Sequence, residues 1–119
     1  MNKIEYYTKA NGNCPIERWL EGLASSDKVE YRKIIAKLFK LQVEGLKLVN
    51  TEMMSSIKDV QNMYEVRGGS CRVLTYYDEI AQEFILLHGF RKRHRVEPHE
   101  IDVGCRLLNE YLECRYGGV

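Results

Sequence analysis

A chain of 119 residues with 45% hydrophobic and 29% charged side chains has the composition of an ordinary globular protein, and one domain over residues 1–119 is expected. No apolar run approaches the length of a membrane span, and the N-terminus lacks the basic-then-apolar layout of a secretory signal, which points to a cytoplasmic protein without a membrane partner. A net charge of only +1 excludes a polycation, so any affinity for nucleic acid must come from where the cations sit.

The first element, Ile4 to Thr8, is rich in β-formers and closes on the turn signal Asn11-Gly12-Asn13. Pro15 then fits the first position of a short helix whose Ile16, Trp19, Leu20 and Leu23 share a face. Ser25-Ser26-Asp27 offers caps for a longer helix between Lys28 and Glu44, with an apolar stripe of Tyr31, Ile34, Ile35, Leu38 and Leu41. Gly45 stops it. The lysines on its other side, Lys33, Lys37 and Lys40, read as a solvated face. Two consecutive amphipathic helices with a short joint predict a helical hairpin packed on a sheet. Residues 46–61 show no clear period and read as a loop, with a short turn around 51–57 and Lys58 near its end.

Met63 to Arg67 and Ser70 to Tyr77 read as two strands joined by Gly68-Gly69, a pair suited to the primed turns of tight hairpins. With those glycines as the loop, Arg67 lies opposite Ser70, Val66 opposite Cys71 and Glu65 opposite Arg72. One face then holds Glu65, Arg67 and Arg72, and the other holds Tyr64, Val66, Cys71 and Val73, as a half-buried sheet requires. A three-residue loop would mix the two sets.

Phe84 to Phe90 is long enough for one strand and apolar enough to be buried on both faces, which is the pattern of an interior strand. It runs directly into Arg91-Lys92-Arg93-His94-Arg95, a cluster suited to a polyanion at the rim of the sheet. Taken alone, such a pentamer reads as a solvated turn. His88 joins the arginine face if Arg72 pairs across to it, and a slip of one residue hides it. A last helix begins at Pro98, with Ile101, Cys105, Leu108 and Leu112 as its stripe, and the tail from Arg115 to Val119 is expected to fray. The order is β-α-α-β-β-β-α: an α+β fold with a helical hairpin on an antiparallel sheet and a C-terminal helix. Cys14, Cys71, Cys105 and Cys114 lack paired metal spacing and read as reduced thiols, with no metal or cofactor implied.

In this order Gly45-Leu46, Tyr64-Glu-Val-Arg67, Cys71-Arg-Val-Leu74, Leu86-Leu-His-Gly-Phe-Arg-Lys-Arg93 and Pro98-x-Glu100-Ile101 resemble the phage-derived, HigB-like branch of the RelE/ParE toxin superfamily, over residues 14–112. The resemblance implies a RelE-like fold and a type II toxin. Members of the family are small endoribonucleases, many cutting mRNA in the ribosomal A site, and a cognate antitoxin, often with a helix-turn-helix domain, neutralises them. In related toxins, cations from the hairpin and from the end of the last strand surround the scissile phosphate. By position these are Arg67, Arg72 and Lys92, with Arg91 and Arg93 as rivals to Lys92. Two departures stand out: Arg93-His-Arg-Val-Glu97 replaces a Thr-rich segment before the helix proline, and the loop before Tyr64 lacks Gly-rich and Lys-Pro features.

Metal-free RNA cleavage needs a base for the attacking 2′-OH, an acid for the leaving 5′-oxygen, and cations for the phosphoryl charge. Arg67 and Arg72 suit the last task, because guanidinium is permanently charged and binds phosphate through paired donors. Lys92, beside arginines that repel its charge, is the better proton donor. Lys58, Arg91, Arg93, His94 and Arg95 are expected as RNA contacts. His88 reads either as a satisfied core imidazole or as an acid/base group, and the base stays open. Alternatives of the same fold are a ParE-like toxin that poisons gyrase and an inactive phage-borne protein-binding module.

Overall fold

The computed structural model describes residues 1–92 and 98–117. Along the chain lie β1 (Lys3–Tyr6), α1 (Pro15–Ser26), α2 (Lys28–Glu44), a 3-10 turn (Gly45–Leu48), β2 (Met54–Ser56), β3 (Met63–Gly68), β4 (Cys71–Asp78), β5 (Glu83–Arg91) and α3 (Pro98–Tyr116). This is the expected α+β arrangement with one short strand more, β2, inside the stretch read as a loop. The sheet order is β1-β5-β4-β3-β2. β2 to β5 pair antiparallel, whereas β1 lies parallel to β5, so the sheet is mixed rather than purely antiparallel.

Asp27 makes the joint of the helical hairpin a single residue. Its N–H donates to Leu23 O at the end of α1, and its Oδ1 accepts from the Glu30 N–H at the start of α2. The hairpin packs Ile16, Leu20, Ile34, Leu38 and Leu41 against Val66, Val73, Phe84 and Leu86 on one face of the sheet. On the other face α3 packs Leu107, Leu108 and Tyr111 against Met63, Leu74, Ile85 and Leu87. From Phe84 to Leu87 successive residues of β5 therefore enter opposite cores, which is why that part of the strand is apolar at every position.

The hairpin register differs from the expected one by two residues. Gly68 pairs with Cys71, Arg67 with Arg72, Val66 with Val73 and Glu65 with Leu74. The two-residue loop is thus Gly69-Ser70, with Gly69 at φ 59° in the first central position, where primed turns require positive φ. Gly68 is drawn into the strand because α2 lies against it: a Cβ there would stand 2.7 Å from the Ile34 Cα. A shift of two preserves the faces, so Glu65, Arg67 and Arg72 still share one side.

Arg72 pairs with Phe90, not His88, which stands opposite Leu74. His88 nonetheless joins the arginine face, because positions 88 and 90 lie on the same side. One further irregularity makes this compatible with the core. Leu74 pairs with His88 but Thr75 pairs with Leu86, leaving Leu87 as an extra residue in β5. The bulge lets Leu87 enter the α3-side core while its neighbour His88 also faces α3.

In α3 the most buried positions are Gly104, Leu107, Leu108 and Tyr111, one step round from the expected stripe. The tail does not fray at Arg115 either. Tyr111 and Tyr116 donate their hydroxyls to Asp78 Oδ2 at 2.5 and 2.7 Å, and Arg115 Nη1 reaches Glu83 Oε2 at 3.2 Å. Burial pushes the Asp78 carboxyl up, but these hydroxyls, the Ala81 N–H and the Arg115 charge outweigh it and hold the group below its ordinary range. Two sheet carboxylates thus pin the last turns of α3. Residues 118–119 lie outside the described part.

Candidate functional site

On the α3 face of the sheet the hairpin register lays out two adjacent rows. One runs Ser55, Glu65, Leu74, His88 across β2, β3, β4 and β5, and the next runs Arg67, Arg72, Phe90. The first turn of α3 lies over the first row, and an open groove of about 430 Å³ beside it is lined by Ser55, Ser56, Lys58, Glu65, Ile101 and Asp102.

Glu65 connects the rows. Its Oε1 stands 3.2 Å from Arg67 Nη1 and 3.7 Å from Arg72 Nε. The two arginines differ in how far they are occupied. Arg67 donates Nε to Glu52 O (2.9 Å), Nη2 to Thr51 O (3.1 Å), and Nη1 to Ser55 Oγ (2.7 Å) as well as to Glu65. All three nitrogens are engaged, and what they hold is the segment 51–55 that carries β2. Among the described residues, Arg72 donates through Nη1 alone, to Gly69 O at 2.9 Å and Cys71 O at 2.8 Å. Its side chain is 13% exposed, and its Nε has no hydrogen-bond partner among the described residues. The guanidinium is held in place by the turn, and its unpartnered Nε is buried beside Glu65.

His88 Nε2 lies 3.2 Å from Glu100 Oε1 on α3, with both side chains mostly covered. The imidazole also stacks on Phe90 at 5.8 Å between centroids and 23° between planes. Lys92 follows the end of β5, exposed, with its N–H donating to Ser70 O at 2.8 Å. Lys58 is exposed on the groove edge.

Arg91 goes elsewhere. It pairs with Cys71, so its side chain faces the helical hairpin, where it meets Asp27 at 3.2 Å and Glu30 at 3.8 Å. There Glu30 Oε1 accepts from the N–H of Ser70 (2.9 Å) and from its hydroxyl, and Arg91 also reaches that hydroxyl. The Ser70 bonds hold the Glu30 carboxyl far down, to about 2. This cluster fastens the hairpin turn to α2, on the side of the sheet away from Arg67 and Arg72. Arg93, His94 and Arg95 lie outside the described residues.

The structure therefore brings Arg67, Arg72 and His88 onto one face, puts Lys58 and Lys92 at its margins, and separates Arg91 from them. Sequence reasoning missed Glu100 and Ser55 as members of the site, and placed Glu65 on the arginine face without giving it a role. Glu65 was legible, since it shares a strand face with Arg67 two residues on. Glu100 was not, because its contact depends on how α3 returns over the sheet. The site has permanent cations, an imidazole and two carboxylates on rigid elements. Among the described residues no three His, Cys, Asp or Glu side chains stand together as a metal-binding group.

The family described as phage derived protein Gp49-like (DUF891) matches residues 19–109, from Trp19 at the floor of the hairpin to the middle of α3. The chain belongs to this family. Gp49-like chains form a phage-derived, toxin-like group within the RelE/ParE-like superfamily, which agrees with the helical hairpin, sheet and C-terminal helix found here. No curated protein matches the chain. No helix among the described residues of this Gp49-like protein is long and apolar enough to cross a membrane.

Proposed function

We propose that this Gp49-like protein is the toxin of a type II toxin–antitoxin pair and acts as a ribosome-dependent mRNA endoribonuclease of the HigB-like kind. The observation that carries the reading is the pair of rows on the α3 face: arginines and a carboxylate beside an imidazole, next to an open groove edged by Lys58. Membership of a toxin-like family supports it from a second direction.

Cleavage proceeds by attack of a 2′-OH on the adjacent phosphate, giving a 2′,3′-cyclic phosphate and a free 5′-hydroxyl. Arg72, a permanent cation held by the hairpin turn, takes the charge developing on the phosphoryl oxygens. Arg67 holds the 51–55 rim of the groove and supports Arg72 through Glu65. His88 is the proton-transfer group on this face, and Lys92 at the strand end is the donor for the leaving oxygen. Lys58 contacts the RNA backbone at the groove, and Arg93, His94 and Arg95 supply further backbone contacts, whereas Arg91 is committed to Asp27 and Glu30 on the other side of the sheet. Order imposed by the ribosome on the bound mRNA provides much of the rest, by fixing the attacking oxygen in line. The partner is a cognate antitoxin, with a helix-turn-helix domain as its expected architecture.

Brief induction in a bacterial host followed by mapping of RNA 5′ ends tests the proposal. Discrete cuts in translated mRNA are expected, together with translation arrest, and Arg72→Ala combined with Lys92→Ala abolishes both. Arrested cells with intact mRNA would overturn it. In that case a DNA-damage response would indicate a gyrase poison, and binding to the antitoxin without any growth defect would indicate an inactive module.

A further inference from the structure

The contact between His88 and Glu100 is made by the ring nitrogen farther from the backbone, and it joins β5 to the first turn of α3. An ionised carboxylate accepts but cannot donate, so a neutral imidazole in this pairing carries its proton on Nε2. Nδ1 is then the nitrogen with the free lone pair, and among the described residues it has no hydrogen-bond partner. Stacking on Phe90 fixes the ring plane. Three constraints thus act on one side chain: its strand position beside the Leu87 bulge, the aromatic plate, and the carboxylate that selects the tautomer.

We propose that Glu100 is the positioning residue of the site: by accepting a hydrogen bond from the Nε2–H of His88, it presents Nδ1 as the acceptor for the 2′-OH proton. This rests on the endoribonuclease reading given above. As the bond between the 2′-oxygen and phosphorus forms, Nδ1 takes the proton and the imidazole becomes a cation, which Glu100 stabilises. The bond from phosphorus to the 5′-oxygen breaks, and that oxygen takes a proton from the Lys92 ammonium. Among the described residues, charged groups on the same face are Arg72 on β4, one row away, Lys92 beyond the end of β5, and Glu65 on β3, separated from His88 by Leu74. The last is committed to the two arginines.

The role makes Glu100→Gln and Glu100→Ala behave differently. The glutamine keeps an oxygen that accepts from Nε2, so the tautomer survives and only the charge is lost. Alanine removes the acceptor. Single-turnover cleavage of ribosome-bound mRNA is expected to fall by about 10–100-fold in Glu100→Ala, the range seen when carboxylates that orient metal-bound histidines are removed. The fall in Glu100→Gln is expected to be clearly smaller, with mRNA affinity unchanged in both. Nitrogen-15 NMR of the histidines in the intact protein gives a readout independent of activity. His88 is expected to show the Nε2-protonated tautomer in the wild type and in Glu100→Gln, and a mixture in Glu100→Ala.

Thermal melts of all three proteins identify a purely structural contact: lower Tm with an unchanged rate per folded molecule and an unchanged tautomer would overturn the proposal. So would an Nδ1-protonated ring in the wild type. A wild type that cuts no RNA but shows the Nε2 tautomer shifting in Glu100→Ala would remove the endoribonuclease reading and the proposed proton transfer, leaving the orienting contact itself established.

Discussion

Arg67 and Arg72 stand directly opposite one another across the β3–β4 hairpin, and a single carboxylate, Glu65, reaches both. Two like charges at directly opposed positions would repel. The shared carboxylate offsets that repulsion and leaves the trio with one net positive charge. The pair is not symmetrical, however, because Arg67 has acceptors on all three nitrogens, whereas among the described residues Arg72 has none on Nε.

The asymmetry separates stability from activity. Arg67→Ala is expected to release the 51–55 segment and cost roughly 2 kcal/mol, in line with the loss of several hydrogen bonds to a charged group. Arg67→Lys should recover little of this, since an ammonium cannot reproduce a planar fork serving Thr51, Glu52 and Ser55 at once. Urea unfolding measures both, and a midpoint for Arg67→Ala equal to that of the wild type would show that the segment is held by other means.

Glu30 provides a pH-dependent tether between α2 and the hairpin turn. The hydroxyl and N–H of Ser70 donate to it, and they lower its carboxyl from 4.5 to about 2 against the opposing effect of burial. A folded-state value depressed in this way stabilises the protein fully above about 4.5, and the contribution fades as pH falls towards about 2. Glu30→Gln is therefore expected to melt below the wild type at neutral pH, with the gap narrowing through that acidic window. A gap that stays constant down to the lower limit would contradict the assignment.

Gly89 explains one letter of the Leu86-Leu-His-Gly-Phe90 stretch. A Cβ at this position would lie 2.2 Å from Cε3 of Trp19, so the indole of α1 rests directly on the strand backbone. Gly89→Ala is expected to cost about 1–3 kcal/mol, as overpacking does, and to change the fluorescence of Trp19. Combining it with Trp19→Leu should be markedly less damaging than the sum of the two single changes, because the clash then has no partner. Strict additivity in a double-mutant cycle would argue against the contact.

Much of the fold was legible because its patterns are local. Pro15, Asp27 and Gly45 mark helix ends through the chemistry of orphaned N–H and C=O groups, and the apolar run Phe84 to Phe90 announced a strand covered on both sides. The face shared by Glu65, Arg67 and Arg72 survived an incorrect loop assignment because the error was two residues, which a period of two absorbs. What escaped was non-local. β2 has only three residues and is held by side-chain bonds from Arg67, and the parallel direction of β1 depends on a strand about eighty positions away. The tail was misjudged because its partners, Asp78 and Glu83, lie in the β4–β5 hairpin.

By itself, the sequence determined the α+β class, the helical hairpin, the interior strand and the side of the sheet on which the hairpin arginines lie. Each follows from side-chain period and from the turn and cap residues that interrupt it. The tertiary structure decided which cations share the site. Backbone contact between α2 and Gly68 set the register, and the bulge at Leu87 turned His88 towards α3. The return of α3 then placed Glu100 against the imidazole. These outcomes depend on how separate elements pack, and a one-dimensional pattern holds no record of which distant backbone will press on a given glycine.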